Sequence, residues 1–128
     1  MLIDNISTNA SVHDEAVTSA LREYKRLDAV ILNAGTLDPL GRVSDPATSV
    51  DGWKSLFDVN FFSLLHTLKV AIPSLRESHG RVVMVSSGAS TGGVAGWGAY
   101  SASKAALNSL VRFVSIRYSK ETIRLFDA

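Results

Sequence analysis

Tyr100 and Lys104 lie four residues apart in AYSASKAALNSL, a segment whose apolar spacing predicts a helix. Residues four apart on a helix share one face, a single turn apart, so these two side chains can act on one substrate. An ammonium group close to a phenol stabilises the phenolate. Tyr100 is therefore a candidate general acid, although a tyrosine and a lysine at this spacing also occur together by chance.

Two further polar features occur where a ligand site can form. Asn60 lies on the apolar stripe of a predicted helix, where a buried amide needs hydrogen-bond partners. Ser87 stands at the end of one predicted parallel strand, and the turn Asn33–Gly35 follows another; the carboxyl ends of such strands open onto a ligand crevice. Each feature also has an ordinary structural explanation, as a core amide satisfied by backbone groups or as turn residues.

Apolar periodicity predicts helices and strands that alternate along the chain. We expect Pro73 to end or kink the long second helix, Ser11 to cap the first helix, and the strand DAVIL to be buried on both faces. The alternation predicts a single α/β domain over residues 1–128, with a parallel sheet covered by helices. The predicted helices span residues 11–25, 51–78 and 99–119, and the predicted strands span 28–32, 81–87 and 122–126.

Composition excludes several classes of function. The 13 basic and 12 acidic residues nearly balance, so the charge favours neither nucleic acid nor an anionic membrane as partner. The longest apolar runs, AVIL and VVMV, are far shorter than the about 18 residues of a membrane span. The chain has no cysteine and no signal-like start, which fits the cytoplasm. His13, His66 and His79 share no ligand spacing, so we expect surface histidines and no metal site.

Residues 91–98, TGGVAGWG, match the letters of a dinucleotide-binding glycine loop. Such a loop needs a strand directly before it and a helix that begins at its last glycine, where backbone N–H groups bind a pyrophosphate. Here Gly88, Ala89 and Ser90 separate the segment from the nearest predicted strand. We therefore interpret it as a connection between Ser87 and Tyr100 that forms the floor of a substrate site.

Together these residues resemble the short-chain dehydrogenase/reductase family. Asn33-Ala34-Gly35 is similar to the family's N-N-A-G strand end, with Leu32 in place of its first asparagine. The helix asparagine falls at Asn60 in LFDVNFFS, and YSASK contains the family's tyrosine and lysine. Ser87 stands 27 residues after Asn60 and 13 before Tyr100, which resembles the family's usual separations. The pieces GW-G-AY and SKAALN look most like the branch with fungal benzil reductases and sepiapterin reductase.

The resemblance implies a Rossmann-like doubly wound parallel sheet that is incomplete in these 128 residues. The family's first strands, its glycine-rich phosphate loop and its C-terminal substrate region have no counterpart in the sequence. We therefore expect the outer edge of DAVIL to be unpaired. We also expect the 128 residues alone neither to bind a dinucleotide tightly nor to catalyse a reaction.

The family's chemistry is hydride transfer between a nicotinamide cofactor and a small carbonyl or alcohol substrate. By resemblance, Ser87 hydrogen-bonds the substrate oxygen, and Tyr100 exchanges a proton with it as general acid or base. Lys104 would favour the ionised tyrosine and bind the nicotinamide ribose. Asn60 would hold a water linked to Lys104, with its backbone displaced from regular helix geometry.

The resemblance also implies a set of cofactor contacts. Asn33, Ala34 and Gly35 would line the adenosine ribose pocket, and Asp4 would contact adenine. Tyr100 and Lys104 would complete the cofactor site. The branch resemblance favours NADP, with NAD as the alternative. A homodimer or homotetramer would form through the second and third helices.

Two other classes of protein remain open from the sequence. A nucleotide-sugar epimerase also uses the Y-x-x-x-K pair with a nicotinamide cofactor, but its serine or threonine stands further from the tyrosine. A non-catalytic form of the chain, acting only as a dimerisation or interaction module, is the third possibility.

Overall fold

The computed structural model describes residues 8–118 and 124–127 of the chain. Helices and strands alternate, as the sequence predicts. The elements are α1 (Ala10–Tyr24), β1 (Ala29–Leu32), α2 (Val50–Phe57), a π-helical segment (Asp58–Phe62), α3 (Ser63–Ser78), β2 (Arg81–Met84), a 3-10 turn (Gly88–Ser90), α4 (Gly98–Tyr118) and β3 (Arg124–Asp127).

The three strands form one parallel sheet in the order β1-β2-β3. Val30 pairs with Val82, and Leu32 pairs with Met84. The parallel sheet confirms the prediction made from the alternation of strands and helices. β2 ends at Met84, earlier than the predicted end at residue 87, and β3 covers the described part of the predicted C-terminal strand.

One face of the sheet is buried and the other is open. Val30, Leu32, Val82 and Met84 share a hydrophobic core with α1, α3 and α4. On the opposite face Ile31 is 56% exposed. The prediction that DAVIL is buried on both faces is therefore wrong for the described residues, because α1, α3 and α4 all pack against the same face. The open face consists of Ala29, Ile31 and Arg81, with Val83 half-buried.

The first helix begins one residue earlier than predicted, and its cap is Asn9 rather than Ser11. The Asn9 backbone is extended, and its Oδ1 accepts a hydrogen bond of 3.1 Å from the Ser11 N–H. This geometry is the usual N-cap arrangement, in which a side-chain oxygen satisfies a free N–H of the first turn.

Helical structure runs without a break from Val50 to Ser78 through α2, the π-helical segment and α3. Pro73 lies inside α3, so of the two predicted outcomes an end of the helix is wrong, and a kink stays a prediction. A proline removes only one N–H donor, and here Ala71 and Leu75 on either side are fully buried, so packing holds the helix together.

By length and composition alone, Val50–Ser78 also qualifies as a candidate membrane span. Its buried leucines contact the sheet layer, as in a core helix.

The π-helical segment surrounds Asn60. Its wider turn is visible in the Ser63 N–H, which bonds to the carbonyl of Asp58 five residues earlier. The displaced helix backbone implied at Asn60 by the family resemblance is thus confirmed.

Candidate active site

A cavity of about 260 Å³ lies at the carboxyl edge of the sheet, between the ends of β1 and β2 and the start of α4. It brings together four of the residues singled out from the sequence, which are Asn33, Gly35, Tyr100 and Lys104. The complete lining is Asn33, Gly35, Thr36, Leu37, Val85, Ser86, Trp97, Tyr100 and Lys104.

Lys104 is almost completely buried, with 3% of its surface exposed. Its Nζ donates a hydrogen bond of 2.8 Å to the carbonyl of Val85, just beyond the end of β2. The same Nζ lies 5.7 Å from the centroid of the Tyr100 ring. Burial lowers the pKa of the Lys104 ammonium below its ordinary value, because the charged form loses hydration.

Gly35 leaves open the space beside Lys104. A Cβ atom added at Gly35 would lie 3.5 Å from Lys104 Nζ and 3.4 Å from Asn60 Oδ1. A larger side chain at this position would therefore cover the ammonium. The glycine keeps Lys104 accessible from the cavity, which it also lines.

Asn60 is fully buried and holds two other elements in place. Its Oδ1 accepts a hydrogen bond of 2.7 Å from the Thr36 N–H, and its Nδ2 donates one of 2.8 Å to the Thr36 carbonyl. A third bond, of 3.1 Å, joins Nδ2 to Ser103 Oγ on α4. Asn60 thus ties the loop after β1 to the helix that carries Tyr100 and Lys104, without itself lining the cavity.

Tyr100 lies in the first turn of α4 and is half-buried. Its ring meets the Trp97 ring edge to face, with centroids 5.7 Å apart and planes at 86°. Its backbone carbonyl accepts a hydrogen bond of 2.7 Å from Ser103 Oγ. Tyr100 is therefore held through both its ring and its backbone.

Ser87 is not among the residues that line this cavity, whereas its neighbour Ser86 is. Ser87 caps the 3-10 turn, and its Oγ accepts a hydrogen bond of 3.2 Å from the Ala89 N–H. Accepting that bond leaves the hydroxyl proton available for donation. The role of Ser87 stays a prediction.

The other predicted cofactor residues divide into two groups. Asn33 and Ala34 also line a small neighbouring cavity of about 30 Å³, next to Leu64 and Thr67. Asp4 lies outside the described residues.

The histidines differ from the prediction in one case. His13 is buried and its Nδ1 lies 2.7 Å from Thr67 Oγ1, so its assignment to the surface is wrong. It packs beside His66, which is 3.0 Å from the Asp14 carboxylate. His79 is exposed, as predicted. Among the described residues no cluster of histidine and carboxylate groups could hold a metal ion.

The glycine-rich segment has the context expected of a connection. β2 ends at Met84, so the 3-10 turn and its flanking residues separate the strand from Thr91. Gly96 has φ +80°, and Trp97 pairs with Gly41 in an isolated parallel bridge. The prediction that this segment does not directly follow a strand is confirmed.

Thr36, Val85, Ser103 and Trp97 belong to the site but were not singled out from the sequence. Thr36 and Val85 take part through backbone atoms, which residue types do not reveal. Ser103 lies within YSASK and Trp97 within GW-G-AY, so a search around the tyrosine for further polar and aromatic side chains would have found both.

With this geometry established, comparison with known proteins identifies the family. A family model described as short chain dehydrogenase matches residues 3–126. The chain therefore belongs to the short-chain dehydrogenase/reductase family, whose members are NAD(P)-dependent oxidoreductases with a Rossmann fold.

Two curated relatives come from yeasts. An uncharacterized oxidoreductase of Schizosaccharomyces pombe is 46% identical over 96 residues, which cover 75% of this chain and 38% of that protein. A benzil reductase ((S)-benzoin forming) of Saccharomyces cerevisiae is 37% identical over 115 residues, which cover 86% of this chain and 44% of that protein. The chain thus spans about 38% to 44% of the length of these relatives.

Two solved structures with nucleotides share the fold. An NADH-dependent reductase complexed with NAD has a TM-score of 0.87 and 28% identity, over 96% of this chain and 53% of that one. An alcohol dehydrogenase from the archaeon Thermococcus sibiricus, complexed with 5-hydroxy-NADP, has a TM-score of 0.85 and 25% identity, over 96% of this chain and 50% of that one.

Proposed function

We propose that this chain contains the acid–base residues of an enzyme that transfers a hydride between NAD(P)(H) and a carbonyl or alcohol carbon. The observation that supports this most directly is that Tyr100 and Lys104 line one cavity at the carboxyl edge of a parallel sheet. In this proposal Tyr100 is the general acid or base, and it gives its phenolic proton to the oxygen of a carbonyl substrate.

The residues around the cavity fit a nicotinamide nucleotide. The Lys104 ammonium uses one donor on the Val85 carbonyl, and its two remaining donors suit the vicinal hydroxyls of a ribose. Gly35 leaves space beside that ammonium, and Asn33 lines the same cavity. When bound, the nicotinamide would supply or accept the hydride. Between the two cofactors we favour NADP, on the branch resemblance.

Two further residues support the reaction in this proposal. Ser87 donates a hydrogen bond from its hydroxyl to the substrate oxygen and so orients that oxygen toward Tyr100, which supplies the proton. Asn60 already makes hydrogen bonds to Thr36 and Ser103 through its side chain. A water bound at Asn60 would therefore use the second lone pair of Oδ1 or the backbone carbonyl.

Assembly through α3 and α4 belongs to the same proposal. Phe62, at the end of the π-helical segment, is 54% exposed, and Phe113 on α4 is 68% exposed. Aromatic residues are enriched at protein interfaces relative to the rest of the surface. We expect Phe113→Glu to shift the protein from dimer or tetramer toward monomer in size-exclusion chromatography with light scattering. An unchanged mass would contradict this interface.

The test of catalysis is the variant Tyr100→Phe in the longest native protein that contains these residues. Loss of the transferable proton, with the ring retained, should lower turnover of carbonyl compounds by about 10²-fold or more. Tyr24→Phe is the matched control, because Tyr24 is 71% exposed at the end of α1 and should leave turnover unchanged. Normal turnover by Tyr100→Phe would disprove the assignment of the acid.

A further inference from the structure

Asn108 lies on α4, the helix that carries the proposed acid–base pair, and the proton transfer described above does not use it. It stands four residues after Lys104 and eight after Tyr100, about one and two helical turns further along α4. Its Nδ2 donates a hydrogen bond of 2.8 Å to Ser90 Oγ in the 3-10 turn. This bond joins α4 to the turn that follows Ser87.

The 3-10 turn fixes both the backbone and the hydroxyl of Ser87. The Ser87 carbonyl accepts a hydrogen bond of 2.9 Å from the Ser90 N–H. Its Oγ accepts one of 3.2 Å from the Ala89 N–H, which leaves the hydroxyl proton for another acceptor. Ala89 is buried, with 7% of its surface exposed. Packing therefore holds the middle of the turn, and the bond from Asn108 holds its end.

The Asn108 amide is poorly suited to a purely structural role. Its Oδ1 is buried and has no hydrogen-bond partner among the described residues. A buried acceptor without a partner lowers stability, whereas an apolar side chain of similar size would not. The described contacts give the amide one hydrogen bond, to Ser90, and that bond acts on the turn beside the proposed substrate site.

We propose that Asn108 is a positioning residue, which holds the turn after Ser87 against α4 so that Ser87 and Tyr100 reach one substrate oxygen. The two hydroxyl groups come from different elements, the start of the 3-10 turn and the first turn of α4. The bond between Asn108 and Ser90 joins these elements directly. Without it the turn can move relative to α4, and a displacement of about 1 Å is enough to slow a reaction. The inference rests on the proposed function, which assigns the substrate oxygen to Ser87 and Tyr100.

The experiment compares Asn108→Leu, Ser90→Ala and Ser90→Thr with the wild type, in the longest native protein that contains these residues. Asn108→Leu keeps the volume of the side chain but removes the donor. Ser90→Ala removes the acceptor, and Ser90→Thr keeps it. With acetophenone and butane-2,3-dione as probes, kcat/KM should fall by about three- to ten-fold in Asn108→Leu and Ser90→Ala and stay within about two-fold in Ser90→Thr. The dissociation constant of NADPH should stay within about two-fold in all three variants.

Two controls separate positioning from a general loss of stability. Ser109→Ala changes an exposed residue next to Asn108 on α4 and should leave kcat/KM unchanged. Asn108→Leu should have a Tm equal to or above that of the wild type, because it removes the buried oxygen without a partner. A Tm well below that of the wild type, with NADPH affinity reduced alongside kcat/KM, would show a structural defect and overturn the inference.

A double-mutant cycle and amide exchange test whether Asn108 acts through Ser87. Asn108→Leu should cause no further loss of kcat/KM in Ser87→Ala, because the hydroxyl that it positions is already absent. Exchange of the Ala89 and Ser90 amide protons, measured by NMR, should be several-fold faster in Asn108→Leu than in the wild type and unchanged in Ser109→Ala. Full additivity of the two losses, or unchanged exchange in Asn108→Leu, would overturn the inference. If the wild type reduces neither ketone, the proposed function fails, and the exchange rates alone decide whether Asn108 holds the turn.

Discussion

The two faces of the sheet are built differently, although the residues that form them alternate along the same strands. Val30 and Leu32 of β1 are buried against helices, while Ile31 between them is 56% exposed. Tyr100 and Lys104 come from α4, and Asn60 comes from the segment between α2 and α3, so these residues belong to helices on the covered side. The part of the site that holds Tyr100 and Lys104 therefore depends on one layer of helices and on the carboxyl edge of the sheet.

The covered side and the open face of the sheet also differ in their hydrogen bonds. On the covered side, Asn60 joins the loop after β1 to α4, and Lys104 joins α4 to the end of β2. On the open face, the described residues are apolar side chains and one arginine with no covering layer. Substitutions should therefore have large effects on the covered side and small effects on the open face.

The largest effect on stability is expected for Leu32→Ala. Leu32 is 4% exposed in the core between β1 and the helices, so its truncation removes apolar contacts and leaves a cavity. We expect a loss of about 2–5 kcal/mol in the free energy of unfolding, measured by urea denaturation of the 128-residue chain. A loss below about 1 kcal/mol would show that the covered side is not the stabilising core.

Asn60→Ala should have the next largest effect. The change removes hydrogen bonds to both backbone groups of Thr36 and to Ser103; the Thr36 N–H and carbonyl lose these partners, whereas Ser103 Oγ keeps its bond to the Tyr100 carbonyl. The expected loss is about 1–3 kcal/mol in the free energy of unfolding.

Asn60→Asp is the matched variant, because a carboxylate can accept from the Thr36 N–H but cannot donate to the Thr36 carbonyl. It should therefore be nearly as unstable as Asn60→Ala. Full stability of Asn60→Asp would mean that the donor half of the amide contributes little.

Lys104→Met should weaken cofactor binding by about tenfold or more, because a hydrogen bond to a charged donor is lost while the side chain keeps its length. The measurement is calorimetric titration of the longest native protein with NADPH and NADH. Lys69→Met is the control, since Lys69 is exposed on α3. Unchanged affinity in Lys104→Met would rule out the ribose contact.

The lowered pKa of Lys104 adds a pH dependence to this prediction. Burial disfavours the ammonium, so its charge is lost at a lower pH than that of an exposed lysine. Cofactor affinity of the wild type should therefore decrease as the pH rises toward the ordinary lysine range. Lys104→Met should lack this decrease, and the same decrease in both proteins would assign it to another group.

The sequence predicted the elements and the Tyr100–Lys104 pair because apolar periodicity and residue spacing are local properties. The open face was missed because a continuous apolar strand such as AVIL fits a sheet covered on both sides and does not reveal which layers are present. The burial of His13 was missed because its partner Thr67 lies on another helix. The partners of Asn60 and Lys104 include backbone carbonyls, which residue types cannot identify.

The smallest effect is expected for Ile31→Thr on the open face. Threonine keeps the β-branched shape that suits a strand, and at a position 56% exposed its hydroxyl can remain hydrated. The free energy of unfolding of the 128-residue chain should change by at most about 0.5 kcal/mol. Val30→Thr is the matched variant on the covered face, where the residue is 9% exposed and burial of an unpaired hydroxyl should cost about 1–3 kcal/mol. The two positions are adjacent in β1, so strand propensity is nearly the same for both. The difference between the two losses in free energy of unfolding therefore measures how much the covering helices contribute at Val30. Equal losses at the two positions would mean that the open face is covered in solution.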